Sequence, residues 1–180
     1  TIVALAVDPF EPVIHVAHVG DSRCYRARGK YLELLTEDHS LINEVLAVKP
    51  DMPDAALARL PRKVVTRALG MEETVRVAVR TFEVANGDAY LLCSDGLTAE
   101  VDDADLREAL VSDASPEAVI AGLIAMAKER GGSDNIADRA LRYERPDAWE
   151  RRVSQPRDSA PTDAIQGGSS PEILLLGYES

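Results

Sequence analysis

The chain has 180 residues, a formal net charge of -11 and 46% hydrophobic content, with aromatics at only 4%. That length suffices for one domain with a core built from Val, Leu, Ile and Ala. The acidic balance excludes a phosphate-backbone partner such as nucleic acid, which needs a basic surface. No apolar run approaches the roughly 20 residues that span a bilayer. The opening Thr1-Ile2-Val3-Ala4-Leu5-Ala6-Val7 lacks a basic leader region, so the expected location is cytoplasmic. Starting in mid-strand and without Met, it also reads as a fragment or a processed product. Cys24 and Cys93 form no CxxC pair and lie in apolar contexts, which predicts two reduced, buried thiols.

The first third is β-rich. Short apolar runs at 2–7, 13–19, 23–27 and 31–35 are separated by Asp8-Pro9, Gly20-Asp21 and Gly29-Lys30, predicting an antiparallel meander. Asp38 or Ser40 then caps a helix through Val48, with Leu41, Ile42, Val45 and Leu46 on one face. Pro50, Pro53 and Pro61 bracket a short helical piece in a surface excursion. Strand character resumes at 64–69 and 74–84, and Asn86-Gly87-Asp88 turns the chain into an apolar run, Ala89 to Cys93. Two helices follow. Asp102 or Asp103 caps the first, and Ser115-Pro116-Glu117 opens the second in the order cap, proline, acid. Gly131 stops it. A last strand is expected over 136–143. Beyond Arg145, four of the ten prolines stand among Ser, Asp and Gly, so 145–180 reads as a disordered or linker tail. Within it, Ile173-Leu174-Leu175-Leu176 is an apolar patch that either docks on the body or continues into a further segment.

Three acidic turns hold the chemistry: Gly20-Asp21-Ser22-Arg23, Ser94-Asp95-Gly96-Leu97 and Gly131-Gly132-Ser133-Asp134-Asn135. Each alone is ordinary, since Asp in a Gly- or Ser-rich turn commonly caps backbone N–H groups. Together they place three carboxylates at element ends. Converging carboxylates repel unless a hard cation such as Mg2+ or Mn2+ neutralises them.

The wording of five segments carries a resemblance. Val16-Ala17-His18-Val19-Gly20-Asp21-Ser22-Arg23, Leu35-Thr36-Glu37-Asp38-His39-Ser40, Thr66-Arg67-Ala68-Leu69-Gly70, Leu91-Leu92-Cys93-Ser94-Asp95-Gly96-Leu97 and Gly132-Ser133-Asp134-Asn135-Ile136 resemble, in order, the motifs of the metal-dependent, type-2C serine/threonine phosphatases, and of their bacterial members in particular. The resemblance implies an α+β fold: a four-layer α/β/β/α sandwich of two antiparallel sheets, here incomplete at the N-terminus. Residues 1–144 would be the C-terminal two-thirds of that domain, with the family's flap at about 49–63.

The resemblance also implies the chemistry. Asp95 and Asp134 would ligate a catalytic metal and Asp21, with Asp95, an accessory one, for two or three Mg2+ or Mn2+ ions in the complete domain. Gly96, Asn135, Ser94 and His39 would support those ligands, His39 also as a candidate proton donor. The reaction is hydrolysis of phosphoserine or phosphothreonine in a protein by metal-activated water, with no covalent enzyme intermediate. The implied substrates are phosphoproteins, such as targets of a bacterial Ser/Thr kinase. Arg23 and Arg67 are candidates for phosphate contact or for pairing with structural carboxylates, the latter being expected, and His18 is expected to pack.

Two departures stand out. The family's N-terminal region, with its phosphate-binding Arg and the Asp that bridges both catalytic metals, has no counterpart in this sequence, which leaves two strands expected to lack partners. Asp138 and Arg139 stand where the family has β-branched apolar residues, so that strand should lie at an edge or carry local damage. The alternative function is therefore a pseudophosphatase, a binding or regulatory domain without turnover.

Overall fold

A computed structural model describes residues 1–61, 63–132, 136–144 and 173–177. Two four-stranded antiparallel sheets lie face to face. In the first sheet, β1 (Ile2–Val7) and β2 (Val13–Val19) form a hairpin with Leu5 opposite Val16. Its connection is shaped by Asp8, whose Oδ1 accepts the N–H groups of Phe10 and Glu11 at 2.7 and 2.9 Å. Alternation puts Val3 and Leu5 of β1 and Ile14 and Val16 of β2 into the interior.

At Gly20 the chain leaves this sheet and enters the second, where β3 (Arg23–Arg28) pairs with β4 (Tyr31–Leu34). The expected four-strand meander is thus two hairpins, one in each sheet. Gly20-Asp21 is the crossing between them.

The helix α1 (Leu41–Val48) is capped by Ser40, whose side chain accepts from the Asn43 N–H. The single turn α2 (Asp54–Leu57) follows Pro53. Next, β5 (Ala78–Glu83) pairs with β2, and β6 (Ala89–Cys93) pairs with β3. The strand expected over 74–84 starts only at Ala78, because Ala78 lies opposite His18 and β2 ends one residue later. The strand expected over 64–69 is reduced to one bridge, Val65 to Ser40.

All five residues of β6 are buried, since its two faces serve two cores. Tyr90 and Leu92, with Cys24, meet Val3, Leu5, Ile14 and Val16 between the sheets. Leu91 and Cys93, with Tyr25 and Ala27, meet a helical layer on the opposite side. That layer comprises α3 (Asp95–Thr98), α4 (Asp103–Val111) and α5 (Pro116–Arg130). Asp102 caps α4 and Ser115 caps α5, while Leu106, Leu110, Val119, Leu123 and Ala127 point into the core. Gly131 ends α5 as its glycine predicts. The helices that pack on a sheet do so on this second one. Of the two helical layers implied by the resemblance, this is the one found among the described residues.

The strand β7 (Asp138–Arg142) pairs with β6 at the edge of the second sheet, Asp138 opposite Cys93. It is shorter than expected because β6 offers only five partners. Its edge position explains how Arg139 is accommodated, exposed to solvent.

In the tail the linker reading does not hold at the apolar patch, where docking on the body, one of the two outcomes expected for it, is what forms. Residues 173–177 form β8 (Ile173–Gly177), antiparallel to β1 with Ala4 opposite Leu175. The rest of the stretch 145–180 lies outside the described residues. The edge of β1, expected to be open, is paired. No helix among the described residues is long and apolar enough to cross a membrane.

Candidate metal site

The Asp21 turn is built by close backbone contacts. Gly20 takes φ +106, in the left-handed region, and a Cβ there would lie 2.2 Å from the Thr1 Cγ2. Only glycine fits without displacing Thr1. Gly20 is bonded both ways to His39: its N–H donates to Nδ1 at 3.0 Å, and its carbonyl accepts the His39 N–H at 2.9 Å. Thr1 Oγ1 lies 2.9 Å from Ser22 Oγ, joining the start of β1 to the same turn. Asp21 itself is half-buried.

Asp95 reaches the site from the other turn. It opens α3 directly after β6, exposed, with Gly96 buried beneath it. Ser94 N–H donates to the Ala137 carbonyl at 2.9 Å, and Ser94 Oγ accepts the Ala137 N–H at 3.1 Å. The Asp95 turn is therefore pinned to the chain three residues beyond Asp134. Ser94 serves as a backbone anchor. Asp134 and Asn135 lie outside the described residues.

Burial, and after it the Asp95 and then the Asp38 carboxylate, raise the pKa of Asp21. Asp38 is neutralised by Arg23, whose Nε donates at 3.0 and 3.2 Å and whose Nη2 donates at 2.7 Å. Arg23 is held well above its ordinary value by this carboxylate. The expected structural pairing of Arg23 is what forms, and its partner is Asp38, which lies in the second of the five motifs and is otherwise expected only as a helix cap. Neither Asp21 nor Asp95 has an ion-pair partner among the described residues. A cleft of about 230 Å³ beside Asp21 is lined also by Arg23, Asp38, Ser40, Asn43 and Lys63.

His39 does not suit proton donation as an imidazolium. Burial, then Arg67 and His18, push it down to about 4, so the ring is neutral at pH 7. With Nδ1 accepting from Gly20, its work is to hold the Asp21 turn. The buried His18 stacks on it at 4.6 Å between ring centroids and bonds through Nε2 to the Glu37 carbonyl at 2.8 Å. Arg67 is the exception to the expected carboxylate pairing: its Nη1 lies 3.0 Å from His39 Nε2. Cys24 and Cys93 are free, buried thiols, and burial pushes Cys24 up to about 12.

The donors fit a hard cation in kind, since both described ligand candidates are carboxylates of like charge with no side-chain ion pair among the described residues. They do not form a full cage by themselves: among the described residues no group of three or more His, Cys, Asp or Glu side chains is arranged to hold a metal ion.

No protein-family model matches the chain. It is 35% identical over 120 residues to the protein phosphatase PhpP of Streptococcus pneumoniae, covering 67% of this chain and 49% of that protein. It is 37% identical over 121 residues to the serine/threonine phosphatase stp of Listeria innocua, covering 67% and 48%. The chain thus spans about half the length of these curated relatives. Among solved structures it is similar to the S. agalactiae serine/threonine phosphatase, with a TM-score of 0.66, 34% identity, and coverage of 74% of this chain and 55% of that one. It is also similar to the Mycobacterium tuberculosis serine/threonine phosphatase PstP/Ppp, with a TM-score of 0.62, 30% identity, and coverage of 74% and 56%. Identity in sequence and fold over the same two-thirds to three-quarters of the chain places it in the bacterial type-2C serine/threonine protein phosphatase family.

Proposed function

We propose that this chain carries part of the metal centre of a protein serine/threonine phosphatase that hydrolyses phosphoserine and phosphothreonine with Mg2+ or Mn2+. The observation that carries this reading is that Asp95, opening α3 after β6, lies near enough to the Asp21 crossing to raise the Asp21 pKa, while neither carboxylate has a side-chain ion-pair partner among the described residues. Asp95 and Asp134 would hold a catalytic ion, and Asp21 with Asp95 an accessory one. Gly96, buried under Asp95, leaves that carboxylate free to face outward. When bound, such ions supply an activated water and offset charge on the phosphoryl oxygens.

The chain's own contribution is orientation. His39 and Thr1 fix the Asp21 turn, Ser94 fixes the Asp95 turn, and Arg23 keeps Asp38 from adding a third free negative charge. The proposed substrates are phosphoproteins made by a bacterial Ser/Thr kinase, because the named relatives are serine/threonine protein phosphatases.

Hydrolysis of p-nitrophenyl phosphate with and without Mn2+, by the wild type and by Asp95→Asn, tests the reading. Turnover that needs both Mn2+ and Asp95 supports it. Turnover that survives Asp95→Asn unchanged removes this site from the chemistry. Mn2+ binding without turnover favours a regulatory domain that keeps the metal centre.

A further inference from the structure

The pairing of β8 with β1 is the least locally enforced contact in either sheet. β1 and β2, like β3 and β4, are joined by short connections, whereas about 30 residues separate Arg142 from Ile173. At roughly 3.3 Å per extended residue that length reaches far beyond the molecule, so nothing in the connection itself forces the register. β8 has five residues, is paired along one edge only, and meets β7 where the edges of the two sheets approach. Such a strand must offset the entropy of ordering through pairing on a single edge.

Beneath it, β1 is firm. Val3 and Leu5 are fully buried between the sheets, and β1 pairs with β2 over six positions. A rigid strand with an edge of exposed N–H and C=O groups is the geometry by which sheets take up extended peptides. The register with β8, from Ile2 opposite Gly177 to Ala6 opposite Ile173, defines five acceptor positions. The segment that fills them reads Ile-Leu-Leu-Leu-Gly.

We propose that the outer edge of β1 is a strand-acceptor site whose occupant is this chain's own segment 173–177, held reversibly, so that an extended apolar peptide of that sequence takes its place. The edge matters to the site described above because β1 starts one residue after Thr1, which packs against Gly20 and bonds to Ser22 on either side of Asp21. The ligand class is a peptide added antiparallel to β1. It is independent of any phosphoryl chemistry.

The test uses the full chain and a Leu174→Pro/Leu175→Pro variant. Adjacent prolines remove whichever of the two N–H groups faces β1. Amide hydrogen exchange is followed in β1, with β6 as an internal report that the variant stays folded. A fluorescent peptide with the sequence of residues 171–180 is titrated into both proteins. Exchange in β1 should quicken at least tenfold in the variant while β6 is unchanged. The peptide should bind the variant at least tenfold more tightly than the wild type and restore β1 protection. Unchanged β1 exchange in the variant would overturn the proposal. So would failure of the peptide to bind, or protection appearing on another strand. A wild-type dimer that loses β1 protection on dilution would also overturn it, by making a second copy's strand the occupant.

Discussion

Asp21 and Asp95 repel one another across the space between the β2–β3 crossing and the start of α3; after burial, Asp95 is the largest influence raising the pKa of Asp21. A carboxylate whose proton affinity is raised by a neighbouring carboxylate costs stability in the absence of a cation. Replacing Asp21 by Asn should therefore stabilise the metal-free chain at pH 7–8, by about 0.5 kcal/mol, the scale of partly exposed charge pairs. Urea melts in EDTA measure this. With saturating Mn2+ the order should reverse, the wild type becoming the more stable because only it gains the full binding free energy.

Gly20 is the residue on which the turn depends. Gly20→Ala adds a Cβ 2.2 Å from Thr1 Cγ2 at a backbone conformation that L-residues rarely adopt. The expected loss is about 2–3 kcal/mol, from overpacking together with strain. Adding Thr1→Gly should return only the overpacking part, because φ at position 20 is unaltered. Thermal melts of the single and double variants separate the two.

Arg23 and Asp38 form a half-buried, multiply bonded pair. Asp38→Ala leaves the guanidinium without its carboxylate and should cost about 2 kcal/mol, between exposed and fully buried pairs. A double-mutant cycle with Arg23→Met should give a coupling of about 1–3 kcal/mol. A coupling near zero would show that the pair contributes nothing beyond its separate side chains.

Asp138 fits its surroundings poorly. Both carboxylate oxygens are buried without a hydrogen-bond partner, and burial raises its pKa to about 6. The native state therefore binds this proton more tightly than the unfolded chain, whose value is 3.8. The penalty is absent below about pH 4, builds as pH rises through 6, and is complete above it. Asp138→Val should stabilise the chain by about 1–2 kcal/mol at pH 8, after allowance for solvent screening, and by visibly less at pH 5. Chemical denaturation at the two pH values checks both sign and size.

Local sequence carried much of this fold because its signals are short-range. Ser115-Pro116-Glu117 and Gly131 bracket α5, and the alternation at Val3, Leu5, Ile14 and Val16 marks the interior face of the first sheet. What escaped was set by distant partners. Nothing near Gly20 says that the chain changes sheets there, and Val75 and Val77 alternate like strand residues but have no β2 residue opposite them. β8 stood in a stretch whose composition suggests a linker, and only the open edge of β1 gives it a partner.

The site divides in the same way. Asp21 and Asp95 were marked by their turns, and Asp95 is near enough to raise the Asp21 pKa. Asp38 was marked only as a candidate cap within its motif and Lys63 not at all, since their place beside Asp21 depends on how β4, α1 and the 49–63 excursion pack. His39 was picked out by its motif, but its neutrality follows from burial beside Arg67 and His18, which only the assembled fold supplies.

Direct titration of Mn2+ into the wild type and into Asp95→Asn and Asp134→Asn tests the central claim most plainly. The metal reading predicts that the wild type binds Mn2+ and that each variant binds it at least tenfold more weakly, both remaining folded. Equal affinity in all three, or no binding by the wild type, would contradict it.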